Sequence, residues 1–211
     1  MSIPTGTLED YAERLRRKAP EYLDLLSAQT DQEFEQAFDA LLERAVAGLE
    51  KNKVNFNGLD EVGLSAVLAL ALTIPGLTVL QEAHSNGHVD LTIEADHSVP
   101  MRKKLGEAKI YDGPVYHVKG LQQLLGRYTT GREGRGLLLI YVKKRGIAEL
   151  IKKLRENFDA NRPSKQQGVT QDNLLKWSFI SVHRHSSGED QEIDHVGCNL
   201  YVEESDDQAK S

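Results

Sequence analysis

The sequence is poor in the features that mark secreted and membrane proteins. It holds a single cysteine, Cys198, which excludes an intramolecular disulfide framework and is compatible with a reducing cytoplasm. The longest apolar run, around residues 62–72, is too short to cross a bilayer, and no charged-then-apolar leader opens the chain. With 39% hydrophobic and 27% charged residues, the composition is that of a globular protein. We therefore expect a cytoplasmic protein that has no membrane partner.

Basic residues are scarce outside one segment of the chain. The net charge is -6, yet residues 101–176 hold 17 of the 26 Lys and Arg side chains and 7 of the 32 acidic ones. A solvated, lysine-rich helix face would account for such a segment. A local phosphate-binding surface would also account for it, with the acidic regions elsewhere suppressing indiscriminate binding. The choice between the two interpretations depends on which other residues lie near the basic segment.

Residues 1–55 predict an N-terminal helical hairpin. Thr7 with Asp10, and Thr30 with Glu33, each place a capping hydroxyl three residues before an acidic side chain. The second of these helices repeats apolar residues at intervals of three and four. We expect the hairpin to pack on the rest of the chain or on a second copy of it.

Residues 56–204 predict an α/β domain with a mixed β-sheet flanked by helices, followed by an acidic, flexible tail at 205–211. A helix is expected from Asn57, as its cap, to about Thr73, with Glu61 in its first turn, where a carboxylate complements the helix dipole. Period-two alternation and short apolar runs then predict strands near 77–80, 89–94, 103–111, 136–142, 177–184 and 196–203. Helices are expected near 118–128 and 147–158.

The residues that carry chemistry lie on two neighbouring predicted strands. Glu107 and Lys109 are two positions apart, so both side chains point to one face of the sheet. Asp90 lies on the preceding strand, and it pairs with Glu107 if the hairpin turn centres between Ser98 and Val99. Two adjacent carboxylates repel each other unless something neutralises them, and a divalent cation is the usual neutraliser.

Such a site has a clear chemical use. Asp90 and Glu107, together with the Ala108 carbonyl, would hold Mg²⁺ or Mn²⁺, both of which accept oxygen ligands. The cation would polarise a phosphodiester and make a bound water more acidic. Lys109 would orient or activate that water and offset charge on the phosphoryl oxygens.

The ordered set of motifs resembles the PD-(D/E)XK nuclease superfamily. The set comprises Glu61 on a helix, Gly-His-Val-Asp-Leu at 87–91, Gly-Glu-Ala-Lys at 106–109, and Gln-Gln-Leu-Leu-Gly-Arg-Tyr at 122–128. The resemblance covers roughly residues 57–160 and implies a restriction-endonuclease-like fold. His-Val stands where a proline often precedes the aspartate in that superfamily.

The resemblance implies roles for five side chains: metal binding by Asp90 and Glu107, catalysis by Lys109, auxiliary metal binding by Glu61, and positioning of water or phosphate by Gln123. Gln122 is the alternative to Gln123, because the spacing from glutamine to tyrosine differs by one residue from the commonest pattern.

The resemblance also gives the basic segment an explanation. Six cations bracket the acids in sequence and are expected to contact nucleic acid: Lys103, Lys104, Lys119, Arg127, Arg132 and Arg135. The implied function is a Mg²⁺-dependent endonuclease, with DNA favoured over RNA, similar to the effectors of bacterial restriction and anti-phage systems. Such effectors are often controlled by homo-oligomerisation or by a companion protein. The alternative is a catalytically inactive subunit that keeps the nuclease fold for binding or scaffolding.

Overall fold

The computed structural model describes residues 6–84, 88–99 and 101–203, without the side chains of 82–84, 88 and 89. Gly87, Pro100 and the predicted tail at 205–211 lie outside the described residues. Within those ranges, no helix combines the length and the apolar composition that a membrane crossing requires.

The chain divides into two compact units, Met1–Arg44 and Ala45–Ser211. The first contains α1 (Leu8–Lys18), α2 (Pro20–Ser27) and most of α3 (Asp31–Lys51), which continues into the second unit. The division between the units therefore falls inside α3.

Both predicted capping pairs form at the starts of helices in the first unit. The Asp10 N–H donates to Thr7 Oγ1 over 3.2 Å, while the Thr7 N–H donates to Asp10 Oδ2 over 2.7 Å. At the start of α3, the Glu33 N–H donates to Thr30 Oγ1 over 3.2 Å. Backbone donors that a helix leaves without partners are satisfied in this way.

The hairpin prediction is wrong in one respect, because the first of its two helices is broken. Ala19 has φ -154° and ψ 67°, which is outside the helical region, and Pro20 begins α2. A proline has no N–H to donate and restricts the residue before it, so it starts a new helix in preference to continuing one.

The second unit is built on a seven-stranded mixed sheet. Its strands are β1 (Thr78–His84), β2 (His88–Ala95), β3 (Arg102–Ile110), β4 (Gly136–Val142), β5 (Gln171–Asp172), β6 (Ser178–Arg184) and β7 (Asp190–Asn199). The strand order is β1-β2-β3-β4-β7-β6-β5, with β3–β4 and β4–β7 parallel and the other pairs antiparallel. The α/β class and the mixed sheet are thus confirmed. The sequence pattern missed the two-residue β5 and placed the start of β7 too late, at 196.

The helices of the second unit, after the end of α3, are α4 (Lys53–Phe56), α5 (Glu61–Leu72), α6 (Pro114–Gln123) and α7 (Ile147–Asn161). A π-helical turn at Leu124–Tyr128 continues α6. The predicted cap of α5 is corrected from Asn57 to Asp60, whose Oδ1 accepts the Gly63 N–H over 2.8 Å. Asn57 instead ends the short α4 in a helical conformation, so its side chain does not start a helix.

The centre of the sheet is covered on both faces, as the apolar sequence of β4 predicts. Every residue of β4 is buried. Leu138 belongs to a cluster with residues of α6 and α7, such as Leu121 and Phe158. On the other face, the Tyr141 hydroxyl lies 3.4 Å from Ser65 Oγ of α5. Leu105 of β3 belongs to the same cluster as Leu138, so β3 side chains two and four positions further along also face α6.

Two leucine truncations test this core. Leu138 is 0% exposed and Leu70 is 79% exposed. We expect Leu138→Ala to lower the free energy of unfolding by about 2–5 kcal/mol, because it opens a cavity in the packed layer. Leu70→Ala, which removes the same atoms from the surface, should change it by less than about 0.5 kcal/mol. Urea denaturation measures both, and equal effects would contradict the placement of β4 in the core.

Candidate functional site

The β2–β3 hairpin brings the two predicted acids together. Leu91 pairs with Gly106 and Ala95 pairs with Arg102 in the antiparallel ladder, and this register continues to Asp90 opposite Glu107. The predicted turn centre is therefore confirmed.

The Asp90 carboxylate is fixed by the neighbouring strand. Its Oδ2 accepts the Ala108 N–H over 2.8 Å. This hydrogen bond fixes the orientation of the Asp90 carboxyl group beside Glu107.

Glu61 reaches the same place from α5. Its Oε2 accepts the Ile110 N–H over 2.9 Å, and its Oε1 accepts a hydrogen bond from Lys109 Nζ over 3.1 Å. The Asp60 cap makes Glu61 the first residue of the helix. The helix dipole favours an acid there, but the contacts with β3 are what tie this carboxylate to the candidate site.

Lys109 lies among all three carboxylates. Its Nζ is 2.7 Å from Glu107 Oε1, 3.1 Å from Glu61 Oε1 and 3.8 Å from Asp90 Oδ2. Burial lowers the pKa of Lys109, but the contacts with Glu107 and Asp90 outweigh burial and raise the pKa above its ordinary value. The ammonium therefore stays charged at neutral pH. When all three acids are ionised, they exceed this one cation by two negative charges.

Glycine at position 120 lets α6 lie close to the lysine. A Cβ built on Gly120 would come within 3.1 Å of Lys109 Cγ and 3.2 Å of Leu138 Cδ1. Both separations are tighter than ordinary carbon contacts. The Lys109 stem is thus held between the sheet and a helix that has no side chain at the contact.

Glu107 is the most deeply buried acid of the group. The residue is 1% exposed, and its Oε2 has no hydrogen-bond partner among the described residues. Burial and the charge of Asp90 raise the pKa of Glu107 to about 7, although Lys109 opposes the shift. A buried carboxylate oxygen without a partner is costly in a folded protein, so it points to a group that binds there.

The residues present fit a divalent cation. When all three acids are ionised, they carry two negative charges beyond the one that Lys109 neutralises, and a buried carboxylate oxygen lacks a partner. Oxygen donors of this kind suit Mg²⁺ or Mn²⁺. Asp90 and Glu107 are the residues placed to hold it, and Glu61 lies beside them as an auxiliary acid. The Ala108 carbonyl stays a predicted ligand.

A cleft of about 390 Å³ opens beside Lys109. It is lined by Lys109, Tyr116, Lys119, Gln122, Gln123 and Arg127. Both candidate glutamines lie in it, with Gln122 exposed and Gln123 half-buried, so the choice between them stays open.

The π-helical turn bears on the unusual spacing from glutamine to tyrosine. The Thr129 N–H donates to the Leu124 carbonyl, five residues earlier, over 3.2 Å. A π turn holds more residues than an α turn, so Gln123 and Tyr128, five residues apart, lie on nearly the same face of the helix. Burial raises the pKa of Tyr128, and the charges of Glu107 and Asp90 raise it further. Tyr128 therefore lies within electrostatic reach of the two acids, and the sequence pattern assigned it no role.

Two of the predicted nucleic-acid contacts are corrected. Lys104 is 0% exposed, with its Nζ 4.0 Å from Asp194 Oδ2, so it offers no surface to a ligand. Arg135 pairs with Glu192 at 3.1 Å and with Asp194 at 3.3 Å. The Lys104 side chain is buried and the Arg135 side chain is half-buried between two acids, which the count of charges did not reveal.

The other four predicted contacts remain on the surface to different degrees. Lys103 is partly engaged by Glu94, 3.5 Å away, whereas Lys119, Arg127 and Arg132 are exposed and make no ion pair with a described residue. The glycine-rich loop that carries Arg132 uses its own backbone donors internally. Glu133 Oε2 accepts the N–H groups of Thr130, Gly131 and Arg132.

A buried histidine chain lies in the same unit and was not predicted. His117 Nε2 is 2.8 Å from His195 Nδ1, and Ser181 Oγ lies 2.7 Å from the Nε2 atoms of both His195 and His183. Burial lowers the pKa of His117 to about 3 and lowers the pKa values of His183 and His195. These rings are neutral members of the core.

No family model, curated protein or solved structure matches the chain. A function is therefore inferred from the site itself.

The raised pKa of Glu107 predicts a pH-dependent stability. Its contribution to native stability is full below its ordinary pKa of 4.5 and is lost as the pH rises through about 7. With a chelator present, Glu107→Gln should therefore raise the melting temperature over wild type by about 5–10 °C more at about pH 8 than at about pH 5.

A surface acid provides the control for this prediction. Glu149, which pairs with Lys153 at 3.6 Å, is exposed on α7, and Glu149→Gln should give the same small difference at both pH values. A Glu107→Gln effect that does not change with pH would contradict the shifted pKa.

Proposed function

We propose that the chain is a Mg²⁺-dependent endonuclease with a restriction-endonuclease-like fold, which hydrolyses phosphodiester bonds and favours DNA. The observation that carries the proposal is the buried Glu107 carboxylate, with one oxygen that has no partner, held between Asp90 and Lys109. The mixed α/β sheet supports it, because the acids lie on an antiparallel hairpin whose second strand pairs in parallel with β4.

The division of labour follows from the contacts. Asp90 and Glu107 would hold the cation, and when bound it would polarise the phosphodiester and make water more acidic. Asp90 is already oriented by the Ala108 N–H, so little rearrangement is needed before binding. Glu61 accepts a hydrogen bond from Lys109 and another from the backbone of β3, so it positions the lysine and anchors the start of α5 to that strand.

Lys109 supplies the positive charge of the protein itself. Because its pKa is raised, the lysine acts as a charged donor that orients a water and stabilises negative charge on the phosphoryl oxygens. Its stem is clamped against Gly120, which fixes where the ammonium points. Fixed donors stabilise a transition state better than mobile ones because they need no reorganisation.

Cleavage of a plasmid and of a single-stranded RNA, with Mg²⁺ or with chelator, tests the proposal. Wild type should cut the plasmid only with Mg²⁺. Asp90→Asn keeps an oxygen that accepts the Ala108 N–H but loses the charge, and Lys109→Ala loses the ammonium. Each should slow cutting by about a hundredfold or more. Lys153→Ala, on the exposed face of α7, should cut like wild type.

The contrary outcomes are distinct. Cutting by Asp90→Asn at the wild-type rate, or cutting in chelator, would refute the assignment. If nothing is cut, Mg²⁺ titration separates the remaining cases. Saturable binding that Asp90→Asn loses would indicate an enzyme awaiting a partner, whereas absence of binding would favour the inactive binding or scaffold subunit.

Two glycines on the same helical segment provide a matched test of the lysine clamp. A Cβ on Gly120 would press on Lys109, while a Cβ on Gly126 would meet no other atom within 4 Å. Alanine favours helix over glycine by about 1 kcal/mol at either position. We expect Gly120→Ala to lower the cleavage rate by about tenfold or more and Gly126→Ala to leave it unchanged. Equal rates for the two variants would show that the lysine stem does not need this contact.

A further inference from the structure

The cleft beside Lys109 has a composition that the cleavage chemistry alone does not explain. Only one of its six lining residues, Lys109, belongs to the acid–lysine cluster. The others lie on α6 and the π-helical turn, and they include an aromatic ring, two amides and two further cations.

The two cations of the cleft lack the acidic partners that several other surface cations of the second unit have. Lys119 and Arg127 are exposed and have no ion pair with a described residue. By contrast, Lys144, Lys152 and Arg184 each pair with a nearby acid. Cations without acidic partners beside a concave surface attract phosphate.

Tyr116 gives the cleft an accessible aromatic face. The residue is 38% exposed and makes no hydrogen bond or ring contact with any described residue. It lies three positions before Lys119 and seven before Gln123, a spacing that puts all three on one side of α6. The exposed part of this ring has no hydrogen-bond or ring partner among the described residues and is free to stack on a base.

We propose that this cleft binds an unpaired nucleotide next to the scissile phosphate, with Tyr116 stacked on its base and Lys119 and Arg127 contacting flanking phosphates. The proposal rests on the nuclease function and specifies that the nucleotide beside the cut bond is unpaired, as in a single strand or an opened stretch of a supercoiled plasmid. A base inside a duplex has both faces covered by its neighbours, whereas an unpaired base has a free face for an aromatic side chain. The cleft volume of about 390 Å³ is in the range of small-ligand sites.

Binding without cleavage tests the cleft independently of catalysis. Fluorescence anisotropy with a chelator present would compare a labelled DNA single strand, the same sequence as RNA, and its blunt DNA duplex. Tyr116→Ala should weaken single-strand binding by about five- to a hundredfold, because one base loses its stacking partner. Tyr116→Phe keeps the ring and should stay within about twofold of wild type. Duplex binding should change by less than about twofold in either variant.

Lys119 and Lys153 provide a matched pair of cations. Both are exposed helix lysines, but only Lys119 lines the cleft. Lys119→Ala should reduce the slope of log affinity against log salt by about 0.7 for a single strand, since one phosphate contact is lost. Lys153→Ala should leave that slope unchanged.

The outcomes separate this inference from the nuclease proposal. Tyr116-dependent binding of DNA or RNA strands supports the cleft, even if Mg²⁺ then produces no cleavage and the nuclease proposal fails. Mg²⁺-dependent cutting that prefers duplex and ignores Tyr116→Ala would overturn the cleft assignment and leave the nuclease proposal standing. Equal losses by Tyr116→Ala and Tyr116→Phe, or equal losses for strand and duplex, would also overturn it.

Discussion

The Lys109 ammonium and the three carboxylates around it place the strongest constraint on the second unit. Charges taken out of water are tolerated only when they are paired, and here the partners come from three different elements: α5, β2 and β3. The helix must begin where Glu61 reaches the strand, and the hairpin must keep the register that sets Asp90 beside Glu107. An error of one residue in either element would leave a buried charge without a partner.

The charges of Lys109 and its three carboxylates do not balance, which distinguishes this cluster from a purely structural ion cluster. A structural cluster satisfies its own charges, whereas this one keeps an excess of negative charge and an acid whose pKa is raised. The fold maintains this excess with a covered sheet on one side and a close-lying helix at Gly120 on the other. Local instability of this kind is common where a protein is organised to bind something.

The features of the fold that could be predicted from the sequence are those that repeat every few residues. Alternation along β2 and β3 predicts which side chains share a face, and the turn residues predict the register. The prediction of Asn57 as the cap of α5 was wrong because Asn57 and Asp60 both favour the N-cap position. The choice between them depends on where α5 meets β3. The π-helical turn has no local signal, since it shifts hydrogen bonds by one residue without demanding a special side chain. The contact between His117 and His195 joins positions 78 residues apart, so no periodicity reveals it.

The buried histidine chain makes the stability of the fold depend on pH in the acid range. Its imidazoles are neutral inside the protein and have their ordinary pKa once the chain unfolds. Below about pH 6.5 the unfolded state therefore binds protons that the folded state does not bind, which lowers the stability of the fold. Each lowered pKa adds to the same slope, because the rings titrate together on exposure. Acid therefore weakens the fold from its interior, through rings that begin on α6, the helix that also packs on Lys109.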